Sequence, residues 1–259
     1  MWGNSYTKDR SPRRVARYVP GALSVHVSSD RRASALEPVL RQAGGVLVLH
    51  DGRAVVAHYG SAAGELAACV SAVGVADRSD LAILQLDGPA AQLRQLSQRL
   101  AGCEVAPGGA AHSAGAWWCA ASPERMLVLV DASSGDRLHA LLRARVARRS
   151  AVTLADRSSE LAALAVVGRR ASALLAELGV YGESRNPRDV SPLTAHTGAG
   201  AEVLWLLESD DKALALMGAA DAPLVWHAIE RAGRPHGLCA VGQDALARYA
   251  LLRRISSPL

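Results

Sequence analysis

The clearest short apolar runs lie within residues 45–50 and 53–58, bounded by polar residues on either side of Asp51-Gly52. They predict two strands joined by a type I′ hairpin turn, because Asp-Gly tolerates the left-handed backbone such a turn requires. Residues 37–42 before the hairpin have helical spacing. Residues 64–72 after it read as a helix with Leu66, Ala67 and Val70 on one apolar side. Further strands are expected at 126–130 and 202–207, and further helices at 135–148, 222–232 and 243–254. Asp131-Ala-Ser-Ser134 is placed to cap the first of these helices. Residues 181–197, with Asn186-Pro187 and Ser191-Pro192, read as a loop. Asp210-Asp211 reads as the acidic start of a helix.

An internal repeat is superimposed on this pattern. Val75-Ala-Asp77-Arg-Ser79 leads into an apolar strand ended by Gly88 and a leucine-bearing helix at 91–100. Leu154-Ala-Asp156-Arg-Ser158 leads likewise into an apolar strand, Gly168 and a helix at 171–178. Two related strand–helix halves facing each other, at about 40–150 and 151–259, follow from this self-similarity. Asp77 and Asp156 then occupy equivalent turns. The expected fold class is α+β, with sheets inside and helices outside.

Composition narrows the function. The chain has 259 residues and a formal net charge of +5, and lacks phenylalanine. Lys8, Arg10, Arg13, Arg14, Arg17, Arg31 and Arg32 concentrate the excess in residues 1–32, which read as a basic, flexible head before one domain at 33–259. The remainder is near neutral, so a nucleic-acid groove is not expected. No apolar run is long enough to span a membrane and no secretory leader is visible. Cys69, Cys103, Cys119 and Cys239 are scattered, which fits reduced thiols in a cytoplasm. No metal-ligand pattern, phosphate loop or nucleophile elbow is present.

Certain segments then resemble a known family. His58-Tyr59-Gly60-Ser61, Glu65, Val73-Gly74-Val75-Ala76-Asp77-Arg78-Ser79 and Leu86-Asp87-Gly88-Pro89-Ala90 resemble the opening of glycine-cleavage T-proteins, the aminomethyltransferases. Val128-Leu-Val-Asp131-Ala-Ser-Ser, Ala165-Val-Val-Gly168 and His196-Thr197-Gly198-Ala-Gly-Ala-Glu202 resemble later family segments in the same order. The resemblance runs from about residue 40 to 250. It implies a T-protein-like folate-binding domain without the C-terminal barrel, and a tetrahydrofolate site between the halves used for one-carbon transfer or a repurposed reaction.

Departures accompany the matches. The segment that carries the family's catalytic aspartate here reads Gly115-Ala-Trp117-Trp118-Cys119-Ala, and the folate-gripping glutamate after Thr-Gly is replaced by Ala199 or Gly200. Trp117-Trp118 followed by Ser122-Pro123-Glu124 resembles the sarcosine oxidase gamma subunit, which implies an alternative: a non-catalytic subunit with a protein partner, or a homo-oligomer. For a pterin-like ligand, Tyr59, Trp117, Trp118 and Trp205 are the candidate walls, and Thr197 a polar contact. Asp131 is assigned to the ring edge or to helix capping. Trp117 and Trp118 alternate on a strand, so only one can face a cleft. The candidate acid–base groups are His196 and Glu202; metal ligands are not expected.

Overall fold

The computed structural model describes residues 34–147, 151–184 and 187–256. The basic head expected at 1–32 lies outside the described residues. The described residues open with α1 (Glu37–Gln42) and a hairpin of β1 (Val46–His50) and β2 (Arg53–His58). Asp51 and Gly52 have φ of 49° and 75°, the left-handed pair that a type I′ turn needs.

The next elements follow twice in the same order. The first set is α2 (Ala62–Ser71), β3 (Val73–Asp77), β4 (Leu81–Asp87), α3 (Ala90–Ala101), β5 (Ala110–Ser113), β6 (Ala116–Ser122), β7 (Arg125–Asp131) and α4 (Ala132–Val146). From β3 onward the second set repeats it: β8 (Thr153–Asp156), β9 (Leu161–Val167), α5 (Ala171–Glu177), β10 (Leu193–Gly198), β11 (Ala201–Ser209), β12 (Lys212–Gly218) and α6 (Ala222–Gly233). β13 (Leu238–Ala240) and α7 (Gln243–Ser256) are the last described elements.

Two sheets result, in the orders β10-β11-β12-β9-β3-β13 and β5-β6-β7-β4-β8. At each Ala-Asp-Arg-Ser the chain crosses from one sheet to the other, so the leading strand of each half pairs with the other half: β3 with β9, and β8 with β4. The crossovers match bond for bond. Arg78 N–H donates to Ala163 O at 2.9 Å and Arg157 N–H to Ile83 O at 2.8 Å. Ser79 Oγ donates to the Asp77 carboxylate and Ser158 Oγ to that of Asp156. The structural turn role of both aspartates is thus observed directly. The β5–β6 and β10–β11 hairpins are equivalent as well, turning at Ala114-Gly115 and Ala199-Gly200 with positive φ at all four residues.

Apolar alternation on these strands fills three layers of core. Ala76, Ile83, Leu127, Leu129, Ala165, Leu206 and Leu214 pack between the sheets. Val203, Trp205, Trp226 and Leu174 pack between the six-stranded sheet and its helices. Trp118, Leu84, Leu96 and Leu142 do the same behind the five-stranded sheet. The architecture is helix–sheet–sheet–helix, and each side-chain layer excludes water from one sheet face.

Four expectations change. Residues 193–198 are strand β10, not loop, because their backbone pairs with β11 throughout. Asp210-Asp211 forms the turn between β11 and β12 and starts no helix. Asp131 stands at the N-cap of α4, yet its side chain makes no capping hydrogen bond. The buried side of α2 carries Glu65 and Cys69, while Val70 is exposed. Glu65 explains that last inversion: its carboxylate accepts the Tyr59 N–H at 2.7 Å and the Gly242 N–H at 2.8 Å, joining the end of β2 to the start of α7.

Candidate functional site

Where the sheets part beside α7, a cleft of about 1000 Å³ opens. Its floor is apolar, from Leu129 of β7, Ala165 of β9, Leu214 of β12 and Leu246 of α7. Trp117 of β6 forms one wall, with the His112 ring tilted against it at 5.1 Å. The hairpin tip, His50-Asp51, borders the opening.

Charged groups ring this floor in pairs. Arg78 donates through Nε and Nη2 to the two oxygens of Asp80, both at 2.8 Å, a planar fork on a carboxylate. Gln243 Nε2 donates to Asp80 Oδ1 at 2.9 Å. The Asp131 carboxylate stands 3.7 Å from Arg78 and is 72% exposed, held by no closer partner there. Burial works against the Arg78 cation, but Asp80, Asp131 and Glu208 outweigh it and raise its pKa above the ordinary arginine value. Lys212 pairs with Glu208 at 2.7 Å. Asp211 accepts from Ser209 Oγ, Tyr249 Oη and Arg253 Nε at 2.6–2.7 Å. Burial first, and then that carboxylate, push the Tyr249 phenol upward, so it stays a hydrogen-bond donor.

Of the residues singled out in the sequence, Trp117 and Asp131 line the cleft. Trp118, its neighbour on β6, points the other way and is fully buried behind the sheet. Trp205 lies in the helix-side core of the six-stranded sheet, and Tyr59 packs against that same core with its hydroxyl buried. On β10, His196 is paired with Val203 and faces the helix side, its ring against Gly179 and Gly198. Thr197 and Glu202 are partners across β10 and β11, on the face that Leu204 and Leu206 turn to the other sheet. Glu202 is six residues from Glu208 along β11, roughly 20 Å, so it stands well outside the cleft. These six residues do not converge. Arg78, Asp80, Glu208, Asp211, Gln243, Tyr249 and Arg253 do, and the sequence reading missed them as a group. A signal was present: the repeat reads Asp-Arg-Ser-Asp80 in one copy and Asp-Arg-Ser-Ser159 in the other. The copies differ at the position that meets the cleft.

Asp77 lies beside this network but beneath its surface. Burial pushes its carboxyl up to about 6, and the hydrogen bond from Ser79 only partly offsets that. An unfolded aspartate ionises at about pH 3.9, and each tenfold difference in proton affinity between the two states is worth about 1.4 kcal/mol. The native state therefore retains the proton longer, and the stabilisation this supplies is complete below about pH 4 and lost as pH rises through about 6. Asp77→Asn is expected to gain stability over the native chain by ~2 kcal/mol between pH 4 and 7, measured by urea unfolding across that range. A pH-independent difference would contradict this account of Asp77.

Cys69 and Cys119 are fully buried, and burial is the main cause pushing both thiols up to about 12. Alkylation of the folded protein is expected to spare both and to modify them only after denaturation, as read by peptide mass. Among the described residues, no three His, Cys, Asp or Glu side chains gather as a metal site, and no helix is long and apolar enough to cross a membrane.

Comparison with known proteins places this architecture. No protein-family profile and no curated protein matches the chain. Solved structures do. The chain is similar to the glycine cleavage system aminomethyltransferase T from Bartonella henselae at a TM-score of 0.68 and 15% identity, over 83% of this chain and 60% of that one. It is also similar to a chain of the heterotetrameric sarcosine oxidase from Corynebacterium sp. U-96 at a TM-score of 0.54 and 18% identity, over 69% of this chain and 93% of that one. The fold is thus the α+β T-protein-like fold, and the chain spans about three fifths of the aminomethyltransferase.

Proposed function

We propose that the chain is a ligand-binding member of the T-protein-like fold that takes tetrahydrofolate, or a ligand of the same build, in the cleft between its sheets. The observation that carries this reading is the pairing of the Trp117 wall with the uncapped Asp131 carboxylate across an apolar floor. A reduced pterin needs an aromatic or apolar face to lie on and a carboxylate for its N–H edge; its glutamyl tail needs cations. Trp117 supplies the first and Asp131 the second, while Lys212, Arg253 and Arg254 line the same cleft on its α7 side. The cleft is at the upper end of the roughly 300–1,000 Å³ usual for small-molecule sites. The residues therefore suit a long, two-ended ligand.

Bound there, tetrahydrofolate would supply the capacity to accept or release a one-carbon unit. The chain's own contribution is binding, orientation and exclusion of water by Leu129, Leu214 and Leu246. Proton holding at the ligand, assigned from sequence to His196 and Glu202, passes in this reading to His112 and Asp131, which share the cleft with Trp117. Positioning of the reactants then supplies most of any rate acceleration, since Asp80, Glu208 and Asp211 are held in closer pairs with Arg78, Lys212 and Arg253. The aminomethyltransferase likeness supports the enzymatic form of this reading.

Protection against heat unfolding tests it. Excess tetrahydrofolate is expected to raise the melting temperature of the native chain, and Asp131→Asn to remove most of that rise. An equal rise in both would refute the assignment of Asp131. A second reading, in which the chain serves as a subunit, is favoured by one observation, the exposed apolar strand β1.

A further inference from the structure

β1 is an unusual edge. Among the described residues it has one hydrogen-bonded neighbour, β2, whose first four residues are buried. Its own sequence, Val-Leu-Val-Leu-His, is apolar, yet Val46, Val48 and Leu49 are 46%, 44% and 56% exposed. Soluble proteins protect such edges with lysine, proline or a cover. β1 has no lysine and no proline, and its one irregularity in pairing lies at its start, between Val46 and Leu47.

The pairing geometry says what the open edge accepts. His50 and Arg53 close a two-residue turn, so they are a hydrogen-bonded pair. Antiparallel pairs alternate, hence Val48 directs its N–H and C=O to β2, while Leu47 and Leu49 direct theirs outward. An incoming strand must therefore pair with Leu47 and Leu49. The strand itself meets that need. Laid antiparallel on a second copy about a twofold axis at Val48, Leu47 pairs with Leu49 of the second copy, and Leu49 with Leu47. Both are hydrogen-bonded pairs, flanking a non-hydrogen-bonded pair of Val48 with its own equivalent. Side chains approach most closely in that central pair.

Packing agrees with the register. Leu47 is packed against the helix-side core, whereas Leu49, on the same face of the strand, is uncovered. Twofold pairing sets each uncovered Leu49 beside a Leu47 that its own core already supports. The strand carries no Asp, Glu, Lys or Arg, and its His50 falls opposite Val46, so like charges do not meet.

We propose that β1 is a homodimerisation edge, across which two copies of this chain join their hairpins into a continuous four-stranded sheet. The interface is isologous, as twofold assembly requires. Since His50 and Asp51 border the cleft, each partner strand would end beside the other copy's ligand opening.

Sedimentation velocity of the full chain tests this, with two variants. The native chain is expected to approach twice the monomer mass as concentration rises. Val48→Lys, which sets two cations directly opposite each other, is expected to remain monomeric and to melt like the native chain at dilutions where both are monomers. Val48→Cys is expected to form a covalent dimer under mild oxidation, and Val46→Cys is not, because its equivalents lie far apart across the axis. A native chain that stays monomeric at every concentration would overturn the proposal; that is also the outcome if another segment of the chain or a different protein covers β1. A dimer that survives Val48→Lys, or that cross-links equally through Val46→Cys, would overturn it as well.

Discussion

Trp118→Ala is expected to lower stability by ~3–5 kcal/mol, whereas Trp117→Ala, one residue earlier, is expected to lower affinity and leave the fold nearly intact. The two indoles share a strand and face opposite ways. Trp118 is fully buried against Leu84, Leu96 and Leu142, so truncation leaves a void that the sheet and two helices cannot readily close. Trp117 is half-buried at the cleft wall, where its ring is available to a flat ligand. Losing an aromatic stacking surface costs about 1–3 kcal/mol per stacked base in nucleic-acid sites, which for a pterin would correspond to a loss of affinity from several-fold to about a hundredfold. Thermal melts and a fluorescence titration of each variant separate the effects. Equal loss of stability in both would mean that Trp117 is a core residue.

The second large effect is expected at Gly242. Its N–H reaches the buried Glu65 carboxylate, and a Cβ there would collide with the carbonyl of Ala57 and stand 2.6 Å from the amide nitrogen of His58. The contact is with backbone, so no side-chain rotation relieves it. Gly242→Ala must push α7 away from β2 or break the Glu65 bridge. Overpacking of this kind costs ~3 kcal/mol, occasionally more. For a chain of this size the melting temperature is then expected to fall by roughly 6–12 °C. Because α7 carries Gln243, Tyr249 and Arg253, ligand protection should weaken with it. Gly102→Ala is a suitable comparison: Gly102 has φ of 71°, but no atom lies within 4 Å of its Cβ position, so only backbone strain is added.

The repeat was legible in the sequence because Ala-Asp-Arg-Ser performs the same task twice: the aspartate accepts from the serine, and the arginine amide ties the crossover to the other half. The hairpin was legible for a similarly local reason, since Asp-Gly encodes its turn. Strands β5, β8 and β10 were not. They are short and carry alanine, threonine and histidine where valine or isoleucine would mark a strand, and only pairing with β6, β4 and β11 makes them strands. β12 was missed because the preceding acidic pair looked like the start of a helix. The six unconverged site candidates share one cause. Family-like letters give order along a chain, whereas which sheet face a side chain takes depends on register, and one residue reverses it. Trp117 and Trp118 show both outcomes side by side. The convergent charges were hidden because Arg78, Glu208 and Arg253 come from a crossover, a strand end and the last helix, and nothing local connects them.

Calorimetric titration of the native chain with tetrahydrofolate tests the central claim most directly. Saturable binding at one site per chain, with a negative heat-capacity change from burial of the ring against Trp117 and the leucine floor, is the predicted result. Titration without heat at any temperature, together with an unchanged melting temperature at high ligand, would contradict it and leave a T-protein-like fold whose cleft holds no folate.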